Sequence, residues 1–156
     1  MPAPLNVRTA ARAVVVREGR LLAITMRDRE GLFYILPGGG QRHGETLAAT
    51  LRRETLEEIG VALEPGPVLY VREYIGKNHT FAEAHRHFHQ VEVVFRCALP
   101  AGAEPEAGAG RDNRQVGVEW LELAKLEDYR FFPSFLKKCV RAGDLVVEQM
   151  YWGDLN

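Results

Sequence analysis

The stretch GGGQRHGETLAATLRRETLEEIGV, residues 38–61, sets three consecutive glycines directly ahead of an acidic helix. Gly38, Gly39 and Gly40 admit positive φ and let a ligand approach the backbone with no Cβ in the way. Apolar periodicity predicts a helix over roughly 46–59, ended by Gly60, where a left-handed cap costs a glycine little. On a helical wheel Leu47, Ala48, Leu51, Thr55 and Ile59 share one arc and should face a core. Thr55 is the polar member of that arc, so its hydroxyl is expected to bond back to a carbonyl one turn earlier.

Opposite the apolar arc, Glu54, Glu57 and Glu58 crowd one edge of the same helix. Each like-charged i,i+4 pair costs a few tenths of a kcal/mol, so something must compensate. Two readings stay open on the residues alone. The edge is a solvated face paired with Arg52 and Arg53, or it is a set of hard oxygen ligands for Mg²⁺ or Mn²⁺. Such ions keep several waters and share phosphate oxygens. A glycine turn delivering the chain to a helix N-terminus also favours anions. Arg53, four residues before Glu57 and eight after Glu45, is placed to tie the loop to the helix.

The rest of the chain frames this segment. Its 156 residues suit a single domain spanning 1–156 with a core of its own. A formal net charge of −1 gives no electrostatic reason to expect nucleic acid or a membrane surface. No apolar run approaches a membrane span, and "MPAPLNVRTAARAVVV" lacks the pattern of a signal peptide. Cys97 and Cys139, without metal-ligand spacing, read as buried reduced thiols, and the cytoplasm is the expected compartment. The oligomeric state stays open, a homodimer included.

"ARAVVVREGRLLAITMRD" reads as two strands about a turn at Glu18-Gly19, and "LFYILPGG" as a short strand halted by Pro37. "PVLYVREYIG", "HRHFHQVEVVFRCAL" and "QVGVEWLEL" read as further strands. "PSFLKKCVRAG" reads as a C-terminal helix started by Pro133, and "DLVVEQMYW" as a last strand. The loop "PAGAEPEAGAGRDNR" is too poor in apolar groups to pack and is expected to be mobile. The pattern predicts an α/β sandwich: a mixed sheet covered on each side by helices.

By period two, His85, His87 and His89 should share one strand face with Val91, Val93 and Phe95. Three readings stay open for the imidazoles: substrate contact, a second metal site of transition-metal type, or hydrogen-bonded surface. Arg72, Lys77 and Arg86 are candidates for phosphate or for solvent. Phe33, Tyr34 and Phe88 are candidates for base stacking or for the core.

Written out, the segment is Gly39, five residues, Glu45, seven residues, Arg53-Glu54, two residues, Glu57-Glu58, one residue, Gly60 and Val61. This resembles the signature box of the Nudix hydrolases, the MutT-type family that cleaves nucleoside diphosphates linked to another group. Thr55 departs from the pattern, standing where the family prefers an aliphatic residue, and a packing adjustment is expected there. The resemblance implies a three-layer α/β/α sandwich and hydrolysis of a phosphoanhydride by water attack at phosphorus. The substrate is then a nucleoside diphosphate derivative or a nucleoside triphosphate. It makes Glu54 and Glu58 the strongest ligands of Mg²⁺ or Mn²⁺, with Glu57 and the Gly39 carbonyl assisting. Glu45 and Arg53 would hold the loop. The general base lies in the box or in a separate loop, where Glu119 and Asp112 are candidates. Two rival functions stay open: a non-catalytic nucleotide-sensing or protein-binding module, and a transition-metal binder built on the histidines.

Overall fold

The computed structural model describes residues 5–110 and 114–156. The strands are β1 (Val7–Val14), β2 (Val16–Arg17), β3 (Arg20–Asp28), β4 (Gly31–Ile35) and β5 (Gly38–Gly40). Helix α1 (Leu47–Ile59), β6 (Val68–Ile75), the one-turn α2 (Ala82–His85), β7 (His89–Arg96) and β8 (Gln115–Glu122) follow. Short strands β9 (Phe131–Phe132), β10 (Val140–Arg141), β11 (Asp144–Leu145) and β12 (Tyr151–Asp154) complete the chain.

Two mixed sheets result. One runs β12-β6-β7-β1-β5, with β1 parallel to β7 and antiparallel to β5; the other runs β2-β3-β4-β9, with β8 paired to β3. Glu18 and Gly19 both take positive φ, 52° and 73°, at the β2–β3 hairpin, where such turns match strand twist. Alternation along β1 divides the interior. Ala11, Ala13 and Val15 pack with Leu51 and Ile59 of α1, whereas Val14 joins Tyr70, Val94 and Leu121 in a second cluster.

Helix α1 starts and stops as its sequence dictates. Thr46 Oγ1 accepts from Ala49 N at 3.1 Å, and Gly60 closes the last turn at φ 70°. Thr55 Oγ1 donates to Leu51 O at 2.7 Å, the expected back-bond, and also accepts from Leu63 N at 2.9 Å. The hydroxyl therefore serves the chain leaving the helix as well as the helix.

Three expectations need correction. The expected C-terminal helix does start after Pro133 but is a short 3₁₀ helix confined to residues 134–139, with Leu136 and Cys139, three apart, as its buried residues. The region after β7 does pack over its described part. Glu106 N donates to Ile59 O and Gly108 N to Glu58 O, both at 3.0 Å, so backbone groups rather than apolar side chains seat it on the end of α1. The strand expected from His85 begins only at His89. "TFAEAH" favours a helical turn that closes with His85 N donating to Phe81 O at 2.9 Å, so the period-two alignment of the histidines is absent.

Replacing Thr55 by valine keeps the volume but orphans the buried Leu63 N–H, which should cost about 1–3 kcal/mol. Urea denaturation of Thr55→Val is expected to show that loss with an unchanged m-value.

Candidate active site

Each glycine of the triplet faces a different neighbour. A Cβ on Gly38 would lie 2.1 Å from Ala11 O, and its φ of +131° suits glycine. A Cβ on Gly39 would lie 2.5 Å from the Glu54 carboxyl carbon. The Glu54 carboxylate thus rests on bare backbone, which only glycine permits. Glu58 closes the same loop from one turn further on, its Oε2 accepting from Gly38 N at 3.0 Å.

Glu45 and Arg53 tie the loop to the helix. Arg53 Nε and Nη2 donate to the two oxygens of Glu45 at 2.6 and 3.0 Å, while Nη1 reaches Glu54 Oε1 at 2.7 Å and Nη2 reaches Gly40 O at 3.0 Å. Arg42 N and the Thr50 hydroxyl add bonds to Glu45. With Arg53 as first cause, these hold the Glu45 carboxyl down to about 2. Glu57 is more open, 3.8 Å from Arg53.

Glu58 sits in the opposite regime. Burial pushes its carboxyl up to about 8 against the pull of Arg12 and Gly38 N–H, and Glu54 and Glu57 add to the rise. The carboxylate lacks enough positive charge around it, a deficit that a divalent ion would remedy. The donors are of the kind such an ion takes: three carboxylates along one helix edge, beside a glycine loop. Among the described residues no group of three acidic, histidine or cysteine side chains is arranged to hold a metal ion by itself. The edge is open, as suits an ion that keeps waters and phosphate oxygens.

Glu54, Glu57 and Glu58 line one end of a cleft of about 1070 Å³. Phe33, Phe81 and Phe132 line another part of it, with centroids 5.2–6.2 Å apart and Arg130 within 6 Å of all three rings. Arg130 is held in place by a two-pronged pair with Asp28, both contacts 2.7 Å.

Beneath the cleft lies a buried network that sequence reasoning missed. Glu92, from the centre of β7, accepts from Arg72 Nε at 2.7 Å, Arg12 Nε at 3.2 Å and Gln90 Nε2 at 2.9 Å. Arg12 Nη1 then donates to Leu36 O at 3.2 Å and to Gly38 O at 2.8 Å. Arg72 continues to Leu155 O and Asn156 Oδ1. Burial alone would raise the Glu92 carboxyl, but Arg72 and Arg12 outweigh it and hold it near about 2. Arg72, a candidate for phosphate or solvent, is therefore spent on Glu92. The signal was available: a lone glutamate inside "QVEVVF" and a lone arginine inside "ARAVVV" on strands that must both be buried.

A sequence model of the NUDIX domain matches residues 7–141. A MutT NUDIX hydrolase structure from Burkholderia pseudomallei is 30% identical, covers 76% of this chain and 85% of its own, and superposes with a TM-score of 0.60. The chain belongs to the Nudix hydrolase family. Its activity class is accordingly that of a pyrophosphohydrolase. A NUDIX hydrolase from Nitrosomonas europaea shares the fold at 17% identity, with 86% of each chain covered and a TM-score of 0.67. An ADP-ribose pyrophosphatase from Streptococcus suis 89-1591 does so at 18% identity, 76% of each chain and a TM-score of 0.54.

Within this Nudix domain the remaining candidates scatter. His85 lines the cleft, its Nδ1 hydrogen-bonded to Tyr74 Oη at 2.9 Å, and burial lowers its pKa with Arg114 adding to the effect. His87 is exposed on a turn, and His89 Nε2 lies 3.3 Å from Glu73 Oε1. No shared imidazole face exists, so the transition-metal reading loses its geometry. Glu119 is exposed, bonded to Tyr34 on β4 and not part of the cleft lining. Asp112 lies outside the described residues. Phe33 and Phe88 line the cleft, whereas Tyr34 is buried edge-on against Tyr129. Lys77 and Arg86 are exposed.

Glu92→Gln should cost about 3–5 kcal/mol by leaving two buried guanidiniums undercompensated. A carboxyl lowered on folding stabilises above its unfolded pKa of 4.5 and loses that contribution as pH falls toward about 2. Denaturation curves across that window should show a steeper acid loss in wild type than in the variant.

Proposed function

We propose that this Nudix domain is a divalent-metal-dependent pyrophosphohydrolase acting on a nucleoside diphosphate derivative or a nucleoside triphosphate. The observation that carries the reading is the edge of Glu54, Glu57 and Glu58, latched to the Gly38–Gly39 loop and opening onto the cleft. Nudix hydrolases generally use divalent ions, and Mg²⁺ or Mn²⁺ suits this all-oxygen donor set. The ion would be held by Glu54 and Glu58, with Glu57 and the Gly39 carbonyl assisting. When bound, it neutralises phosphate oxygens and lowers the pKa of a water.

The protein's own residues do the positioning. Arg53 and Glu45 fix the loop, Gly38 N–H orients Glu58, and Arg12 orients the Gly38 carbonyl. Gln115 Nε2 donates to Glu58 O at 2.9 Å and steadies the end of the helix. Little covalent chemistry is asked of the protein, so placing charge and water in line is its main contribution. Phe33, Phe81 and Phe132 offer an apolar and aromatic surface for the group beyond the diphosphate. The S. suis neighbour bears the name ADP-ribose pyrophosphatase, which is compatible with a cleft of this size. No helix among the described residues is long and apolar enough to cross a membrane. A small-molecule nucleotide derivative is the substrate class these features support. The free buried cysteines agree with a cytoplasmic setting.

Glu58→Gln keeps an oxygen to accept from Gly38 N–H but removes the charge. Turnover should fall by about 100-fold or more, the scale of losing one electrostatic contact to the reacting group, while circular dichroism stays unchanged. A panel of nucleoside diphosphate derivatives and triphosphates, assayed with Mg²⁺ or Mn²⁺ and with mass identification of both products, names substrate and bond together. Chelation with EDTA should abolish turnover and readdition of either ion restore it. Turnover that persists through exhaustive chelation would overturn the metal dependence.

A further inference from the structure

The third glycine of the triplet is not required by its own backbone, because Gly40 does not take a positive φ. Its constraint comes from across the sheet. Gly40 pairs with Ala10 of β1, two residues from Arg8 on the same face. A Cβ at Gly40 would fall 1.8 Å from Arg8 Nη2 and 2.8 Å from its Cζ. The guanidinium therefore points its Nη2 end into the space above Gly40, and a Cβ there would oblige it to move.

From there Arg8 reaches the cleft, whose lining it shares with Gly39, Gly40, Glu54 and Phe88. The Phe88 ring fixes it from the far side, with the guanidinium carbon 5.0 Å from the centroid. The opposite face of the loop carries Glu54 over Gly39, and the Gly40 carbonyl itself accepts from Arg53. Of the other arginines in the cleft lining, Arg12 and Arg72 share Glu92 and Arg130 pairs with Asp28, while Arg29 and Arg114 stand at the wall with Arg8. Arg8 is paired with no carboxylate among the described residues. Between Gly40 and Phe88 the guanidinium is set at the wall of the cleft.

We propose that Arg8 is a phosphate-recognition residue, presented across Gly40 and oriented by Phe88. It takes the phosphoryl group of the substrate that lies beyond the glutamate edge. The proposal rests on the pyrophosphohydrolase reading and adds a specificity element to it. Planar, two-pronged bonding to phosphate oxygens distinguishes guanidinium from a point charge, so lysine is a poor substitute.

The test is calorimetric titration with inorganic pyrophosphate in EDTA, which reads the anion site without turnover. Arg8→Ala should weaken binding about tenfold, the effect of one charge-assisted contact, and Arg8→Lys should recover only part of it. Gly40→Ala leaves the backbone unstrained and displaces the guanidinium, so it should reproduce the loss. The double variant should be no weaker than either single, because both remove one contact. Thermal melts should be unchanged in Arg8→Ala, since the side chain is exposed. Binding within twofold of wild type in Arg8→Ala, additive losses in the double variant, or a wild-type protein indifferent to pyrophosphate would each overturn the proposal. Turnover of Glu58→Gln is read separately, so failure of the hydrolase reading and failure of the Arg8 assignment are distinguishable.

Discussion

One buried carboxylate organises the half of the molecule that holds the glycine loop. Glu92 brings two guanidiniums to the inside of the sheet, Arg12 from one neighbouring strand and Arg72 from the other. Burying three charges is expensive, and the cost is met only because nearly every polar atom of the cluster has a partner. Those partners lie far apart in sequence. Arg12 grips the carbonyls of Leu36 and Gly38, and Arg72 grips the last residues of the chain. The glycine loop, the sheet and the C-terminal segment are thereby referred to one point. An apolar cluster of similar volume would be as stable, but it could not set the direction of a peptide carbonyl.

Around that point the loop is held from two faces, and each glycine reflects one of them. Glu54 lies on the helix side over Gly39, and Arg8 lies on the other side over Gly40. Arg53 and Glu45 close the loop from the helix, where their charges are compensated in place. Glu58 is the exception: it is buried without full compensation, and burial raises its pKa. Glu45 near about 2 and Glu58 near about 8 are the same functional group thirteen residues apart. What separates them is a guanidinium at bonding distance for the first and desolvation for the second.

Burial of the helix end shows how loops of small residues contribute. The segment after β7 has little apolar surface, yet its amides satisfy Glu58 O and Ile59 O, carbonyls that no helical partner could reach. Gly108 and Gly110 allow close approach to Glu57. Backbone complementarity, invisible in composition, thus fixes the part of α1 that carries Glu57 and Glu58.

Helix α1, its caps, the Thr55 back-bond and the pairing of Glu45 with Arg53 were determined by the sequence, because each depends on residues within about two turns of one another. The family followed from the same local spacing. Tertiary structure decided what lies between distant strands. The register of β1 against β7 and β6 made Arg12, Glu92 and Arg72 one network, and the pairing of β1 with β5 placed Arg8 over Gly40. The histidine face failed for a local reason, since a helical turn at 82–85 broke the alternation that period two assumes. Local chemistry is written in neighbouring residues; which charges meet across a sheet depends on register, and register is settled only when the whole core is packed.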